Sequence, residues 1–254
     1  MIERAEAVGV QLHWGARVDL DAARCGWIIG ADGENSLVRK WAGLDVCVRD
    51  RRRFGFRRHY RIKPWTDHME LYWGRECQVY VTPVTPDSVC VAAISRNSRF
   101  RLADALREFS DLEQRLKPRA LMSTERGAIT SSRKLKAVYR EHIALIGDAS
   151  GSVDAITGEG LCLAFRQATA LAEAIECGDL TKYQRKHRQI ARRPEMMARL
   201  LLALGDYAHF RRAAMSAMTS LPGIFAKMLA AHVGAFDEIN NSNLSDGDLC
   251  EPYS

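Results

Sequence analysis

A short apolar run that leads directly into a glycine-rich loop and then an amphipathic helix constrains this chain more than any other segment. Residues 143–146, Ile-Ala-Leu-Ile, are short and branched enough for a buried strand. The loop after them contains Gly147, Asp148, Gly151, Gly158 and Gly160. From residue 161 to residue 175 apolar side chains recur every three or four positions, which predicts a helix. Such a strand, loop and helix direct an acidic side chain and a helix N-terminus toward a ligand crevice.

A second stretch of similar design comes earlier in the chain, GWIIGADGENSLVR at residues 26–39. Residues 27–29 predict a short buried strand, and Asp32 and Gly33 predict the turn at its end. Asn35 or Ser36 is expected to cap the helix that follows. Taken alone, an ordinary Asp-Gly turn and a surface arginine at position 39 explain these residues equally well.

Together, the two stretches resemble the FAD-binding fingerprints of the flavoprotein monooxygenases of the p-hydroxybenzoate hydroxylase type. The later stretch is most similar to the geranylgeranyl-reductase-like branch, where GDA-G-x-x-D-x-x-TGEG is the usual form. The earlier stretch is similar to the family motif D-x-x-x-x-G-A-D-G-x-x-S-x-V-R. Ala155 departs from the pattern, since many relatives have proline at that position.

The resemblance implies roles for individual residues. In that family the aspartate of the Gly-Asp pair, which is Asp148 in this chain, hydrogen-bonds the ribityl chain of FAD, and the backbone of the GEG turn faces the pyrimidine end of the isoalloxazine. Asp32 is expected to bond both FAD and a neighbouring strand or helix, and Arg39 to reach toward FAD or the nicotinamide cofactor's phosphates. The predicted cofactor-binding residues are therefore Asp32, Gly33, Arg39, Gly147, Asp148, Gly158, Glu159 and Gly160. No catalytic side chain is predicted, because the flavin carries the chemistry in this family.

The resemblance also implies an α/β fold of mixed α+β type. We expect an incomplete, Rossmann-like FAD-binding domain, discontinuous over residues 1–45 and 134–178, with an antiparallel β-sheet substrate domain inserted at 46–125. Period-two stretches between residues 54 and 94 predict four strands in that sheet. Further strands are expected at 10–14 and 135–139, C-terminal helices at 179–235, and a polar, disordered tail at 236–254.

The family's G-x-G-x-x-G motif, which holds the FAD pyrophosphate, occurs nowhere in this sequence. We therefore expect an N-terminally truncated flavoprotein. Two hypotheses stay open on these residues. The chain is either an oxidoreductase that uses FAD and NAD(P)H, as a monooxygenase or as a geranylgeranyl-reductase-like enzyme that reduces an alkene, or a non-catalytic remnant or partner-dependent fragment that binds FAD weakly.

Charge and cysteine content narrow the range of partners. The net charge is +6, and the Lys and Arg residues are scattered without interleaved aromatics, so we expect no nucleic-acid partner. The seven cysteines form no CxxC pair, and no His or carboxylate spacing predicts a metal site. No apolar run is long enough to span a bilayer, so we expect a cytoplasmic chain with reduced thiols. The substrate is expected to be a small molecule, aromatic or polyprenyl, and the basic segment 183–193 allows peripheral membrane contact.

Overall fold

The computed structural model describes residues 1–21, 25–117, 120–221 and 223 of the chain. These residues form a mixed α/β fold with one three-stranded sheet, one seven-stranded sheet and helices packed on both. The predicted fold class is therefore confirmed. The predicted tail at 236–254, and the helical pattern beyond residue 223, lie outside the described residues.

The strands and helices have the following bounds in chain order. The strands are β1 Ile28–Gly30, β2 Cys47–Arg61, β3 Glu70–Trp73, β4 Cys77–Thr85, β5 Ser88–Ser95, β6 Ala120–Leu121, β7 Arg126–Leu135, β8 Tyr139–Arg140, β9 Ile143–Leu145 and β10 Gly151–Ser152. The helices are α1 Ile2–Ala7, α2 Leu37–Trp41, α3 Leu102–Arg107, α4 Ser110–Leu116, α5 Gly160–Glu176, α6 Leu180–Asp206 and α7 Ala208–Ser220. Two single 3-10 turns, Gly147–Ser150 and Ala155–Thr157, lie between β9 and α5.

The small sheet brings the two motif stretches together. β1 runs parallel to β9, with Ile28 opposite Ile143 and Gly30 opposite Leu145, and β8 pairs with the other side of β9. Because the strands are parallel, the loops after Gly30 and after Leu145 leave the sheet at the same edge. α5 and α6 cover the sheet, and the Tyr183 hydroxyl of α6 donates to the Leu145 carbonyl at 2.5 Å.

The large sheet is antiparallel in the order β10-β7-β2-β5-β4-β3, with β6 paired to β2. One face packs against α3 and α4 around a core that includes Val79, Val91 and Leu102. The opposite face packs against α6 and the loop before α5, through contacts that include Tyr80 and Ala198. The sheet therefore lies between a pair of helices on one side and the loops of the small sheet on the other.

Three features differ from the sequence-based expectations. Residues 10–14 form no strand, and Val10 and Trp14 are exposed, since no described strand lies beside them to complete a ladder. The expected strand at 135–139 is divided, because Leu135 ends β7 of the large sheet and Tyr139 begins β8 of the small one. β10 also joins the large sheet, pairing with β7, so the loop after β9 contributes to both sheets.

Gly30 has a packing role that predicts a stability effect. A Cβ added at this position would lie 2.7 Å from Leu145 Cδ2 and 2.9 Å from Val38 Cβ, closer than side chains tolerate. We expect Gly30→Ala to lower the free energy of unfolding by about 1–3 kcal/mol, the usual cost of overpacking. Gly26→Ala is the matched control, because a Cβ there meets nothing within 4 Å. Urea unfolding of both variants checks this, and equal stabilities would show that α2 and β9 are not packed as described.

Candidate cofactor site

A pocket of about 380 Å³ lies where the loops after β1 and β9 meet the start of α5. Its wall contains Glu34 from the first loop, Asp148 from the second, and residues 152–155 and 157–161 from the segment that leads into the helix. Segments of both motifs thus meet at one cavity, although Glu34, which the first motif contributes, was not among the predicted site residues. Of the predicted residues, Asp148, Gly158, Glu159 and Gly160 line the pocket, whereas Asp32, Gly33, Arg39 and Gly147 do not.

Asp148 carries the carboxylate that is most available to a ligand. It is exposed, and its side chain accepts no hydrogen bond from any residue that the structure describes. Partial withdrawal from water and the negative charge of Glu34 raise the pKa of Asp148 above its ordinary value. A group that donates hydrogen bonds to this carboxylate would relieve both effects.

The turn at residues 158–160 offers the pocket only backbone at two of its three positions, because Gly158 and Gly160 have no side chain. Gly158 has φ of 70°, a left-handed conformation that glycine adopts without strain, and ends the 3-10 turn Ala155–Thr157. Glu159 is the N-cap residue of α5 and Gly160 its first residue. The first N–H groups of a helix have no intrahelical acceptor, and α5 is 17 residues long, so its N-terminus favours an electron-rich ligand atom.

Asp32 is occupied by the helix that follows it. Its carboxylate accepts the Ser36 hydroxyl at 2.5 Å and the Leu37 and Val38 N–H groups at 2.6 and 3.2 Å. Partial burial acts to raise the pKa of Asp32, but the bonds from Ser36, Val38 and Leu37 outweigh it and lower the pKa below its ordinary value. Ser36 in turn caps α2 by accepting the Arg39 N–H at 2.9 Å, which decides between the two expected capping residues.

The side chain of Arg39 links the two motif loops. Its guanidinium is buried, pairs with Asp45 at 2.8 Å, and donates to the Glu34 carbonyl at 2.7 Å. It also donates to the carbonyls of Ala149 and Asp148, at 3.0 and 3.4 Å. The side chain was expected to reach toward FAD or the nicotinamide cofactor's phosphates. In the structure it is buried among carbonyls of both loops and does not line the pocket.

Gly147 begins a polar network behind the second loop. Its N–H donates to the Gln167 side-chain oxygen at 2.7 Å, and Ser150 Oγ lies 2.8 Å from the Gly147 carbonyl and 2.8 Å from His187 Nε2. Ser150 and Gln167 are buried, so the network fixes the loop against α5 and α6. No sequence motif marks Gln167 or His187. Their helical spacing shows which face they lie on but not what they bond.

Two further contacts connect the pocket to the large sheet. Arg53 Nη1 of β2 forms a buried salt bridge of 2.8 Å with Asp154, and Arg53 Nη2 donates to the side-chain oxygen of Gln78. Glu34 accepts the Ser131 hydroxyl of β7 at 2.7 Å. The carboxylate of Asp154 is therefore neutralised by Arg53. The described residues contain no cluster of His, Cys, Asp and Glu placed to hold a metal ion.

The chemistry of the pocket wall fits the flavin end of FAD. Among the described residues it contains four carboxylates, Glu34, Asp148, Asp154 and Glu159, and no Lys or Arg. Such a wall suits the hydroxyl groups of a ribityl chain and a neutral ring, and opposes a pyrophosphate. The N-terminus of α5 would face the polar edge of the ring. Asp148 and the backbone at Gly158 and Gly160 are therefore the groups that would hold the flavin.

The Arg39 contacts predict a cost for a conservative substitution. Lys has one ammonium on a flexible stem and cannot reach Asp45 and the carbonyls of both loops at once. We expect Arg39→Lys to lower the free energy of unfolding by about 2–4 kcal/mol, measured by denaturant titration. Arg61→Lys, at an exposed position of β2, is the control and should have little effect. If the Arg39→Lys variant were as stable as the unsubstituted chain, Arg39 would not be the link between the two motif loops.

His187 predicts a pH dependence of stability. Burial, with the positive charges of Arg188 and Lys134, lowers its pKa from 6.5 to about 4. Between these values the unfolded chain binds a proton that the folded chain does not, so stability falls as pH decreases from about 6.5 toward 4. The loss should be on the order of 1–3 kcal/mol.

Urea unfolding at a series of pH values tests this assignment. His187→Gln should flatten the slope between pH 4 and 6.5, whereas His142→Gln, which changes an exposed histidine, should keep it. An unchanged slope in His187→Gln would show that the histidine is not held neutral in the folded chain.

Solved structures with a similar fold include flavoenzymes. HpxO from Klebsiella pneumoniae, solved with FAD and uric acid, superposes with a TM-score of 0.63 at 20% identity, over 82% of this chain and 59% of its own. OxyS, an anhydrotetracycline hydroxylase from Streptomyces rimosus, gives 0.62 at 20% identity, over 82% and 46%. The flavin-dependent brominase Bmp2 gives 0.61 at 14% identity, over 86% and 64%. The chain thus spans about half to two thirds of the length of these neighbours.

Comparison of sequences alone does not detect this similarity. No protein-family model matches the chain, and no curated protein sequence does. Among the described residues, no helix has both the length and the apolar character needed to cross a membrane. The structural likeness nevertheless extends over most of the chain, and it confirms the expected resemblance at the level of architecture. The chain has the fold of the FAD-dependent monooxygenases and flavin-dependent halogenases.

Proposed function

We propose that this chain binds the flavin end of FAD in the pocket between the two motif loops and serves an FAD-dependent oxidoreductase of monooxygenase type. The observation that carries the proposal is the convergence of the Glu34 loop with the Asp148–Gly158 loop on one cavity at the N-terminus of α5, although the two loops are more than 100 residues apart in sequence. A chance pair of glycine-rich turns would have no reason to share a cavity. The neighbours' fold supports the same cofactor.

The residues of the chain have distinct tasks in this proposal. Asp148 accepts hydrogen bonds from ribityl hydroxyls, which fits its exposed carboxylate and raised pKa. The backbone at Gly158, Glu159 and Gly160 lies against the pyrimidine edge of the ring, where the helix N-terminus stabilises negative charge. Asp32, Gly33, Gly147 and Arg39 act as positioning residues, because they shape and join the two loops. Bound flavin supplies the hydride and oxygen chemistry, which these side chains do not.

The finer assignments are parts of the same proposal. NAD(P)H is the proposed reductant and a small organic molecule the substrate, with hydroxylation favoured over alkene reduction by the hydroxylase among the neighbours. The described cysteines form no disulfide with one another, which supports a reducing, cytoplasmic location. The chain spans 46–64% of the neighbours' lengths. The activity of the whole enzyme is therefore part of the proposal.

Flavin titration tests the role of Asp148. The purified chain is titrated with FAD, with the flavin fluorescence and the visible absorbance after removal of excess as readouts. Asp148→Ala should raise the dissociation constant about tenfold or more, the usual effect of losing a charge-assisted hydrogen bond. Asp67→Ala is the matched control, since Asp67 is exposed in the turn between β2 and β3.

Two results would contradict the proposal. One is a folded sample that retains no flavin at micromolar FAD, and the other is an equal loss of affinity in Asp148→Ala and Asp67→Ala. Where flavin is retained, oxygen consumption during NADH or NADPH oxidation separates the two chemistries, because a monooxygenase consumes oxygen and an alkene reductase does not.

A further inference from the structure

A second cavity, larger than the cofactor pocket, lies between the large sheet and the C-terminal half of α6. Its volume is about 560 Å³, within the range of small-molecule sites. Its wall is unusually rich in arginine. The arginines are Arg49, Arg51, Arg52, Arg53, Arg96 and Arg199. We call this cavity the arginine cleft.

The carboxylates of the cleft do not balance its arginines. Asp154, Glu195 and Asp206 are the only acidic residues in its described wall, so positive charge exceeds negative by three. Asp154 and Asp206 are each paired at 2.8 Å, with Arg53 and Arg96. The wall therefore has a net positive charge after its close ion pairs are counted.

Glu195 shows the same shortage of negative charge. It is shared by three cations, Arg49, Arg199 and Lys134, at 3.8, 3.6 and 3.9 Å. One carboxylate neutralises one charge, so two of these cations remain without compensation. Like charges gathered in a partly enclosed space repel one another, and an anion would relieve that repulsion.

Arg51 and two neighbours still have donors to offer. Arg49, Arg51 and Arg53 alternate along β2, which directs them to one face of the sheet. The Arg51 guanidinium is exposed at the cleft and has no hydrogen-bond or ion-pair partner among the described residues. The Nε atoms of Arg49 and Arg53 are buried and likewise donate to no described acceptor. Buried donors without acceptors are uncommon in proteins, and an acceptor group of a ligand would satisfy them.

Apart from Ser132, the rest of the wall is apolar, and part of it adjoins the cofactor pocket. Val153, Ala198 and Leu202 provide a surface for the body of an organic molecule beside the charged groups. Val153 and Asp154 line the cofactor pocket as well as the cleft. A ligand in the cleft would therefore lie on the other side of this shared wall from a bound flavin.

We propose that the arginine cleft binds an organic anion with an oxyanion group (carboxylate, phosphate or sulfate) on an apolar body. The affinity of the cleft for this anion does not depend on the proposed function. Arg51 holds the oxyanion, since Arg offers paired N–H donors that match two oxygens of such a group. Arg49 and Arg53 add donors along the same strand.

Binding is measured by calorimetry on the full chain with three probes of similar shape, benzoate, phenyl phosphate and the neutral benzyl alcohol. Each titration is run with and without FAD. At least one anion is expected to bind, and the alcohol about tenfold more weakly or not at all. Arg51→Gln should weaken anion binding about tenfold or more, and Arg51→Lys, which keeps the charge but loses the fork of donors, by less.

Arg61→Gln is the matched control, because it removes an exposed arginine from the same strand outside the cleft. Retained anion affinity in this variant supports the proposal, and an equal loss would show nonspecific attraction to a basic surface and overturn it. Equal binding of benzyl alcohol, or no anion binding with or without FAD, would overturn it as well. Anion binding that persists in a chain unable to retain FAD would refute the proposed function and leave the anion site in place.

Discussion

The buried guanidinium of Arg39 is the contact on which the cofactor site depends. A charge removed from water costs several kcal/mol unless it is paired and its donors are satisfied. Asp45 supplies the counter-charge, and carbonyls of both loops supply the acceptors, including Glu34 and Ala149. Because these carbonyls belong to segments more than 100 residues apart, satisfying one side chain fixes the spacing between the loops. This spacing between the two loops leaves the space that forms the pocket.

Arg53 links the large sheet to the wall of the pocket, as Arg39 links the two motif loops. Its salt bridge to Asp154 and its bond to Gln78 tie β2 and β4 to the segment that forms the pocket wall. If one partner of such a pair is removed, the other charge stays buried without a counter-charge. This costs far more free energy than the intact pair contributes to stability. The sheet and the pocket wall therefore hold one relative position, and a ligand bound against the sheet keeps a defined position relative to the pocket.

The sequence predicted the site better than the contacts that build it. Glycine positions and helical periodicity predicted the loops and α5, but the parallel pairing that brings both motifs to one end of the sheet was found only in the structure. The burial of Arg39 was not predictable, because a charged side chain goes inside only when partners distant in the sequence converge on it. The same holds for β7 and β10, whose ladder pairs residues 133–134 with 151–152. The expected strand at 10–14 had a strand-like sequence but no partner beside it.

The walls of the two cavities carry opposite net charge, and each wall therefore favours a different kind of ligand. The cofactor pocket is lined by Glu34, Asp148, Asp154 and Glu159, and the arginine cleft by an excess of arginines. An organic anion is repelled by the first wall and attracted by the second, even though the cavities share Val153 and Asp154. A polyhydroxyl chain with a neutral ring has the reverse preference, because carboxylates accept its hydroxyl protons. Side-chain charge therefore favours a flavin on one side of the wall at Val153 and Asp154 and an organic anion on the other. The Arg53–Asp154 pair holds that wall in place.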